Sequence, residues 1–334
     1  MLLWVAGQVV LASLVVFVNH VISPQILYYT TADERFTGVS ASQIRALSPN
    51  LLSWMVLFYD TTAGQMALYG ILTIFVAATA YRRGERWAWL ALLVSFAVSS
   101  SYLLVASSPF LNRNIFESSG ISIGILGVVI ILAFLVMGLL LPGADVLKKT
   151  PGMATEHPKG SRKLSFSWLA MLIVLAAPNI SAAVYVPLYG HLLFPSSYPS
   201  GSYFFASDAA FSGVSWQQIV SSSPTLGFWI ILQMDNMCAR MMAGGILASA
   251  VIVKAFRRSQ RWAYFALLAA NLLVSVPSLL WSIPFYQAGI FETGLISGGF
   301  YSGQNFITFL VFIFLNILAF VLPISHFRRT KPAS

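Results

Sequence analysis

Charge is scarce in this sequence. Asp, Glu, Lys and Arg together make up 9 % of its 334 residues, whereas hydrophobic residues make up 58 %. Soluble domains carry roughly 25 % charged residues, so this composition excludes a pair of ordinary soluble domains. The 14 % of aromatic residues excludes a disordered chain. The class that these proportions favour is an integral membrane protein.

Side chains that bind metals or perform covalent chemistry are also rare. The single cysteine, Cys238, excludes a disulfide framework, a cysteine zinc site and an iron–sulfur cluster. The four histidines do not supply two haem ligands at membrane depth. P-loop, H-E-x-x-H and C-x-x-C motifs are missing. The sequence therefore predicts no cofactor and no catalytic residue, and it gives little reason to expect an enzyme.

Eight apolar segments follow one another along the chain. Each is close to the ~20 residues that a helix needs to cross the hydrocarbon layer. The alternation of polar and apolar residues that marks membrane strands does not occur in them. The sequence therefore predicts an all-α membrane protein with eight transmembrane helices, at Leu2–Val21, Thr61–Tyr81, Trp87–Ala106, Ile121–Leu141, Leu164–Tyr185, Asp235–Phe256, Trp262–Trp281 and Phe306–Ile324.

The basic residues predict how these helices are oriented. Fifteen of the 19 Lys and Arg residues lie in the last turn of the second, fourth, sixth or eighth span or in the segment that follows it. Basic residues are enriched in cytoplasmic loops, so we expect a multi-pass protein of the cell membrane with both termini in the cytoplasm. The net charge of +9 then reflects membrane topology. No basic groove with interleaved aromatic residues occurs, so the expected partner is the lipid bilayer and no nucleic acid.

The two halves of the chain are similar to each other. When Asp33 is aligned with Asp208, the segments Asp33–Ile123 and Asp208–Gly298 match without a gap and with 37 identities in 91 positions. This repeat alignment indicates two four-helix repeats, at residues 1–142 and 164–334, joined by a cytoplasmic linker at residues 143–163. Because each repeat has an even number of spans, we expect parallel repeats related by a pseudo-twofold axis along the membrane normal.

The outer segment of each repeat contains a helix-capping signal. Ser40-Ala41-Ser42-Gln43 and its counterpart Ser215-Trp216-Gln217-Gln218 both have the form of a capping box. Each is followed by a short apolar stretch that ends before a proline, where a helix is expected to stop. We expect two short helices that lie on the outer membrane surface.

Two motifs carry a resemblance to known proteins. The stretch Phe36-Thr37-Gly38-Val39-Ser40 and the turn Arg82-Arg83-Gly84-Glu85-Arg86-Trp87-Ala88-Trp89 resemble those of uncharacterised prokaryotic four-helix membrane proteins. More distantly, they are similar to DoxX-like small membrane proteins. The resemblance covers about 90 residues of each half. It implies a four-helix bundle and no activity, because the motifs are loop and interface signatures.

Ionisable side chains inside predicted spans are functional candidates. Asp60 and its counterpart Asp235 lie at the outer boundary of a span, and Arg240, whose counterpart is Gln65, lies about 7–8 Å deeper. In a structural interpretation, each Asp bonds a neighbouring helix and Arg240 pairs with Asp60 across the pseudo-twofold axis. In a functional interpretation, Asp60, Gln65, Asp235 and Arg240 line an outward-facing pocket for a polar or charged ligand.

Sulfur-containing side chains share one face of the same span. Thioethers and a thiolate are soft ligands suited to Cu(I), but methionine is also a common packing residue in cores. We therefore predict no metal site, and packing is the preferred interpretation. The four residues concerned are Met234, Met237, Cys238 and Met241.

Three functions remain open at this point. The first is a small-molecule binder or transporter with a polar ligand between the repeats. The second is a non-catalytic accessory or structural subunit that packs against another membrane protein. The third, a membrane redox or lipid enzyme, comes last because no motif supports it. A wide polar cavity between the repeats would favour the first, and a closed core with flat apolar faces would favour the second.

Overall fold

The computed structural model is helical along the described chain. It describes residues 2–22, 29, 31–112, 133, 136–140, 162–187, 204, 206–290, 306–324 and 327. Within these ranges there is no β-strand, which confirms the all-α prediction for them. Most of the predicted fourth span, Ile121–Leu141, and most of the linker at residues 143–163 lie outside the described residues.

The helices are numbered here in chain order over the described ranges. Three of them are directly continued by a π-helical turn, at Ala77–Tyr81, Leu172–Ala176 and Ile252–Phe256. The α-helices are α1 (Leu2–Ile22), α2 (Thr31–Thr37), α3 (Ala41–Leu47), α4 (Pro49–Val76), α5 (Arg86–Asn112), α6 (Arg162–Met171), α7 (Ala177–Pro187), α8 (Ala206–Ser212), α9 (Trp216–Ser222), α10 (Pro224–Val251), α11 (Arg261–Gln287) and α12 (Phe306–Val321).

Three helices of the described chain are long and apolar enough to cross a membrane. They are Pro49–Tyr81, Leu164–Val184 and Pro224–Phe256, and the first and last each have 33 residues. A helix of that length extends roughly 50 Å, well beyond the ~30 Å of the hydrocarbon layer. These helices support the membrane assignment that the composition predicts.

The two longest helices begin earlier than the sequence predicted. Helix α4 starts at Pro49 and α10 at Pro224, whereas the predicted spans began near Asp60 and Asp235. A proline fits the first turn of a helix, where its missing N–H has no partner to lose. The serine before each proline accepts a backbone N–H and caps the helix. Asp60 and Asp235 therefore lie inside helices rather than at their outer ends, which corrects the predicted boundary.

Helix packing follows a reciprocal pattern. Helix α4 packs on α1 and on α11, and α10 packs on α7 and on α5. Helices α4 and α10 also contact each other. Thus α4 of the first half lies against α11 of the second half, and α10 of the second half lies against α5 of the first half. Two glycines allow the close approach of α1 to α4 and of α7 to α10, because a Cβ at Gly70 or Gly245 would lie 2.8 Å from Val10 or Ile180.

The buried apolar side chains form two clusters at opposite ends of the bundle. The cap end, formed by residues 31–47 and 206–222, covers a cluster that includes Trp54, Phe58 and Trp229. The turn end, formed by residues 82–85 and 257–260, covers a cluster that includes Leu72 and Leu247. The ionisable candidates on α4 and α10 lie along the helices between these two ends.

Candidate functional site

Arg240 places a guanidinium group inside the helix bundle. Its Nη1 donates a hydrogen bond to the hydroxyl of Ser99 on α5, at 2.8 Å. The side chain is partly buried, and its Nε is shielded from solvent and has no hydrogen-bond partner among the described residues. The site therefore holds a guanidinium cation whose Nε–H donates to none of the described residues.

Helices α4 and α5 supply the rest of this polar cluster. The hydroxyl of Tyr69 interacts electrostatically with Arg240, and the hydroxyls of Ser95 and Thr73 lie beside it. Gln65 is one helical turn before Tyr69 on the same face of α4. It is buried, and its Oε1 has no hydrogen-bond partner within the described ranges. Three helices, α4, α5 and α10, thus bring their polar side chains together around Arg240.

The described contacts of Arg240 are with residues outside the group of candidates. Arg240 is hydrogen-bonded to Ser99 and interacts with Tyr69, whereas the structural interpretation paired it with Asp60. Asp60 and Asp235 are both buried, and Asp235 lies close enough to Cys238 to interact with its thiol electrostatically. Sequence reasoning missed the tyrosine and the serine because their contacts with Arg240 join different helices.

The polar cluster has no counterpart in the other half. The repeat alignment pairs Tyr69, Ser95 and Ser99 with Gly244, Ala270 and Val274. In the equivalent place, Gln65 on α4 stands where the arginine stands on α10. The α11 residues that correspond to Ser95 and Ser99 are Ala270 and Val274, and both are apolar. At these aligned positions, the polar side chains lie on the side of the arginine. A comparison of the two halves that looked for co-occurring polar substitutions could have identified them.

The sulfur-containing side chains lie in the apolar cluster at the cap end. All four are buried there together with Trp54 and Trp229. In the described part of the chain, no group of three or more His, Cys, Asp or Glu side chains is placed to hold a metal ion. Met234, Met237, Cys238 and Met241 are therefore part of the apolar core at the cap end.

At the cap end, each half donates a tryptophan hydrogen bond to the other. Nε1 of Trp54 on α4 donates to Oδ1 of Asp208 on α8 at 2.8 Å. Nε1 of Trp229 on α10 donates to Oδ1 of Asp33 on α2, also at 2.8 Å. The two tryptophans are equivalent in the repeat alignment, and so are the two aspartates. The same contact therefore occurs twice with the halves exchanged.

The serines that cap the long helices make a second exchanged pair. Besides accepting a backbone N–H, Ser48 donates its hydroxyl to the carbonyl of Ser212. Ser223 donates in the same way to the carbonyl of Thr37, at 2.9 Å. The start of α4 is thereby tied to the last residue of α8, and the start of α10 to the last residue of α2.

Both predicted capping boxes are confirmed. The side chain of Ser40 accepts from the backbone of Gln43 at 3.2 Å, and the Gln43 side chain accepts from the backbone of Ser40 at 2.7 Å. Ser215 and Gln218 repeat this arrangement with the same two distances. Helices α3 and α9 therefore exist as the sequence predicted.

One aromatic side chain from each half packs edge-on against the tryptophan of the other. The ring centroids of Tyr29 and Trp229 are 5.5 Å apart, and those of Phe204 and Trp54 are 5.2 Å apart. Tyr29 and Phe204 are equivalent positions when the repeat alignment is extended toward the N-terminus. The tyrosine differs from its counterpart in carrying a hydroxyl.

That hydroxyl is held inside the cap. It donates to the carbonyl of Val39 at 2.8 Å and is hydrogen-bonded to the hydroxyl of Thr37. Burial raises the pKa of Tyr29 above its ordinary value of 10.0, and the nearby carboxylates of Asp33 and Glu34 raise it further. The hydrogen bond with Thr37 acts in the opposite direction and is outweighed.

Two grooves lie on the surface of the bundle, each with a volume of about 440 Å³. One is bounded by Tyr264, Leu268 and Phe327, and the other by Leu90 and Ile246 among other apolar side chains. None of the four candidate residues on α4 and α10 lines either groove. The polar cluster around Arg240 is therefore separate from both grooves.

Comparisons with known proteins identify no relative. No protein-family model, no curated protein and no solved structure matches this chain. The resemblance to four-helix, DoxX-like membrane proteins therefore stays a prediction. The functional conclusion rests on the contacts around Arg240 and between the two halves.

Proposed function

We propose that this chain is a multi-pass membrane protein that binds a small anionic ligand between its two halves, at Arg240. The observation that carries the proposal is a guanidinium inside the bundle whose hydrogen bond goes to the neutral hydroxyl of Ser99. Its ionisable neighbour in the described chain is Tyr69, which is neutral at physiological pH. A cation at membrane depth is costly without a counter-charge, and an anionic ligand supplies one.

The donors around the arginine define the ligand's chemistry. A guanidinium has five N–H donors in a planar fork that matches a carboxylate or another oxyanion. Ser99 takes one of them, and Nε remains available. The hydroxyl of Tyr69 can donate a further hydrogen bond to the same anion. A small carboxylate or inorganic anion fits this set better than a neutral or cationic ligand.

The proposal includes an architecture of eight spans in two parallel four-helix repeats, at residues 1–142 and 164–334. Several pairs of contacts support it, since they recur at equivalent positions of the repeat alignment. These are the Trp54–Asp208 and Trp229–Asp33 bonds, the capping boxes, and the glycines Gly70 and Gly245. The four-helix unit is also what the resemblance to DoxX-like proteins implies.

The proposed orientation has both termini in the cytoplasm and the cap end outside. It is supported by the concentration of Lys and Arg at the turn end and in the segments that follow even-numbered spans. In this orientation Asp60 and Asp235, which are nearer the cap end than Arg240 along their helices, lie on the route from the outer surface to the proposed site.

A second candidate function is that of an accessory subunit without a ligand. Two observations favour it: the surface grooves are apolar and do not reach Arg240, and the cap end holds the halves together by exchanged hydrogen bonds. A rigid, closed bundle with apolar outer faces suits a subunit that packs against other membrane proteins. In that case Arg240 would serve packing through Ser99 and Tyr69.

Thermal unfolding of the detergent-solubilised chain separates the two functions. The wild type is compared with Arg240→Gln, which introduces the residue already present at the equivalent Gln65, and with Arg258→Gln, which removes an exposed charge at the turn end. Chloride, nitrate, acetate and phosphate are each titrated at constant ionic strength. A ligand at about 100 times its Kd stabilises by about 2.7 kcal/mol, which is a rise of several degrees in Tm.

Ligand binding predicts that at least one anion raises the Tm of the wild type and of Arg258→Gln but not that of Arg240→Gln. Equal responses in all three proteins, or no response in the wild type, would contradict ligand binding at Arg240 and favour the accessory-subunit function. Uptake of the stabilising anion into proteoliposomes then distinguishes a transporter from a binding protein.

A further inference from the structure

The groove between α5, α10 and α7 has the form of a site for a lipid chain. Its walls are apolar side chains from three helices. They include Leu90 and Val94 of α5, Ile180 of α7, Ile246 of α10 and Val253 of the π-helical turn that follows α10. Leu90 and Val94 are 52 % and 40 % exposed. The groove is therefore open toward the lipid side of the bundle rather than closed inside it.

A single cation marks one end of the groove. Lys254 lines it and is exposed, in the π-helical turn that ends at the turn end of the bundle. From Ile246 to Lys254 the groove extends about 12 Å along the helix. That length is slightly less than the ~15 Å thickness of one hydrocarbon leaflet. The lysine thus lies where a headgroup would be if a chain filled the groove.

The carboxylate nearest in sequence to the groove already has an ion-pair partner and a hydrogen-bond partner. Glu85 forms an ion pair with Arg83, with 2.9 Å between Oε1 and Nη2, and it accepts the indole N–H of Trp87, which lines the groove. The groove's own cation is Lys254. The equivalent position in the first half is Thr79, so the repeat does not duplicate this cation.

We propose that this groove binds an anionic phospholipid, with an acyl chain along the apolar wall and the phosphate at Lys254. Charge complementarity favours this occupant, because basic side chains at a cytoplasmic membrane surface attract anionic lipids by about 1 kcal/mol each. A second copy of the chain would have to bury the exposed lysine against its own basic turn end. The inference is independent of the proposed ligand at Arg240, from which this groove is separate.

Quenching of tryptophan fluorescence by brominated lipids tests the proposal directly, because Trp87 lines the groove. The full-length chain is reconstituted into phosphatidylcholine vesicles that contain brominated phosphatidylglycerol, or into the reverse mixture. The signal of Trp87 is obtained as the difference between the wild type and Trp87→Phe. We expect about a fivefold preference for phosphatidylglycerol at Trp87, the equivalent of about 1 kcal/mol.

Lys254→Gln should remove this preference, whereas Arg258→Gln, which removes an exposed charge outside the groove, should retain it. In the wild type itself, the preference should decline as salt is raised from about 0.05 M to about 0.5 M, because the lysine is exposed. Equal quenching by both lipids, a preference that survives Lys254→Gln, or a preference that salt does not change would overturn the proposal. Absence of quenching at Trp87 by either lipid would also overturn it, since the groove would then be covered by protein.

Discussion

The indole Nε1 of Trp54 donates to Oδ1 of Asp208 across a distance of 2.8 Å, and both side chains are buried. The donor belongs to the first half of the chain and the acceptor to the second. Trp229 and Asp33 repeat the bond with the roles of the halves exchanged, at the same distance. The cap end is therefore held by two equivalent bonds that each need both halves in place.

Removing one of these bonds should destabilise the protein by about 2 kcal/mol, since hydrogen bonds to charged groups contribute about 1.5–3 kcal/mol. Trp54→Phe and Trp229→Phe both keep an aromatic ring and lose the N–H. The free energy of unfolding, measured with denaturant in micelles, should fall by similar amounts in the two variants. Losses in both variants below about 0.5 kcal/mol, the lower end for an ordinary hydrogen bond, would contradict a stabilising role for the exchanged bonds.

A substitution in the turn at Ser259 should stabilise the protein. Its φ is 62°, in the left-handed region that favours glycine, and the equivalent position in the first half is Gly84, with a φ of 74°. Ser259→Gly should therefore raise the free energy of unfolding by about 0.5–1 kcal/mol. The converse substitution, Gly84→Ser, should lower it by a similar amount. The prediction fails if both substitutions shift stability in the same direction.

Stability should fall in strong alkali because of Tyr29. Its pKa in the folded protein is raised above the ordinary value of 10.0 by burial and by neighbouring carboxylates. The unfolded chain therefore loses this proton at lower pH than the folded protein, so the stabilisation is complete below pH 10 and declines as the pH rises beyond it. The free energy of unfolding, measured from pH 8 to pH 11, should decline more steeply in the wild type than in Tyr29→Phe.

Tyr29→Phe introduces the residue found at the equivalent position, Phe204, and it keeps the edge-on contact with Trp229. The variant also loses the hydrogen bond to the carbonyl of Val39, and this loss should lower its free energy of unfolding at every pH. The ionisation of Tyr29 is therefore measured by the difference in slope between the two pH profiles. Parallel pH profiles for the wild type and the variant would contradict the assignment.

The proposed orientation can be tested by labelling single cysteines. In a Cys238→Ala background, Ser42→Cys and Gln217→Cys place thiols at exposed positions of the cap end, and Arg83→Cys and Arg258→Cys place them at the turn end. A membrane-impermeant maleimide should label the first two in intact cells and the other two only after permeabilisation. The reverse pattern would invert the orientation, and mixed accessibility within one end would contradict parallel repeats.

Local signals were sufficient to predict several elements. The apolar runs predicted the helices, and Ser40-x-x-Gln43 and Ser215-x-x-Gln218 predicted two capped starts that the structure contains. These features depend on neighbouring residues, so periodicity and spacing reveal them. The predicted start of the second span, at Thr61, was wrong because α4 begins at Pro49. That proline was interpreted as the end of one helix rather than also as the beginning of the next.

The candidate site was predicted only in part, because its contacts join distant segments. Arg240 and Gln65 stood out as polar residues in apolar helices, but nothing nearby in sequence indicated that Ser99 would receive the guanidinium. Which faces of α4, α5 and α10 meet is decided by packing along their whole lengths. The repeat alignment does contain a signal for this site, since it pairs Tyr69 with Gly244 and Ser99 with Val274.

The most direct measurement is the position of a bound anion. Crystals of the full chain grown with bromide should give an anomalous difference peak within about 3.5 Å of Arg240 Nε, on the side of Ser99 and Tyr69, and crystals of Arg240→Gln should lack it. Bromide peaks confined to exposed residues such as Arg258, with none beside Arg240, would contradict an anion site between the halves.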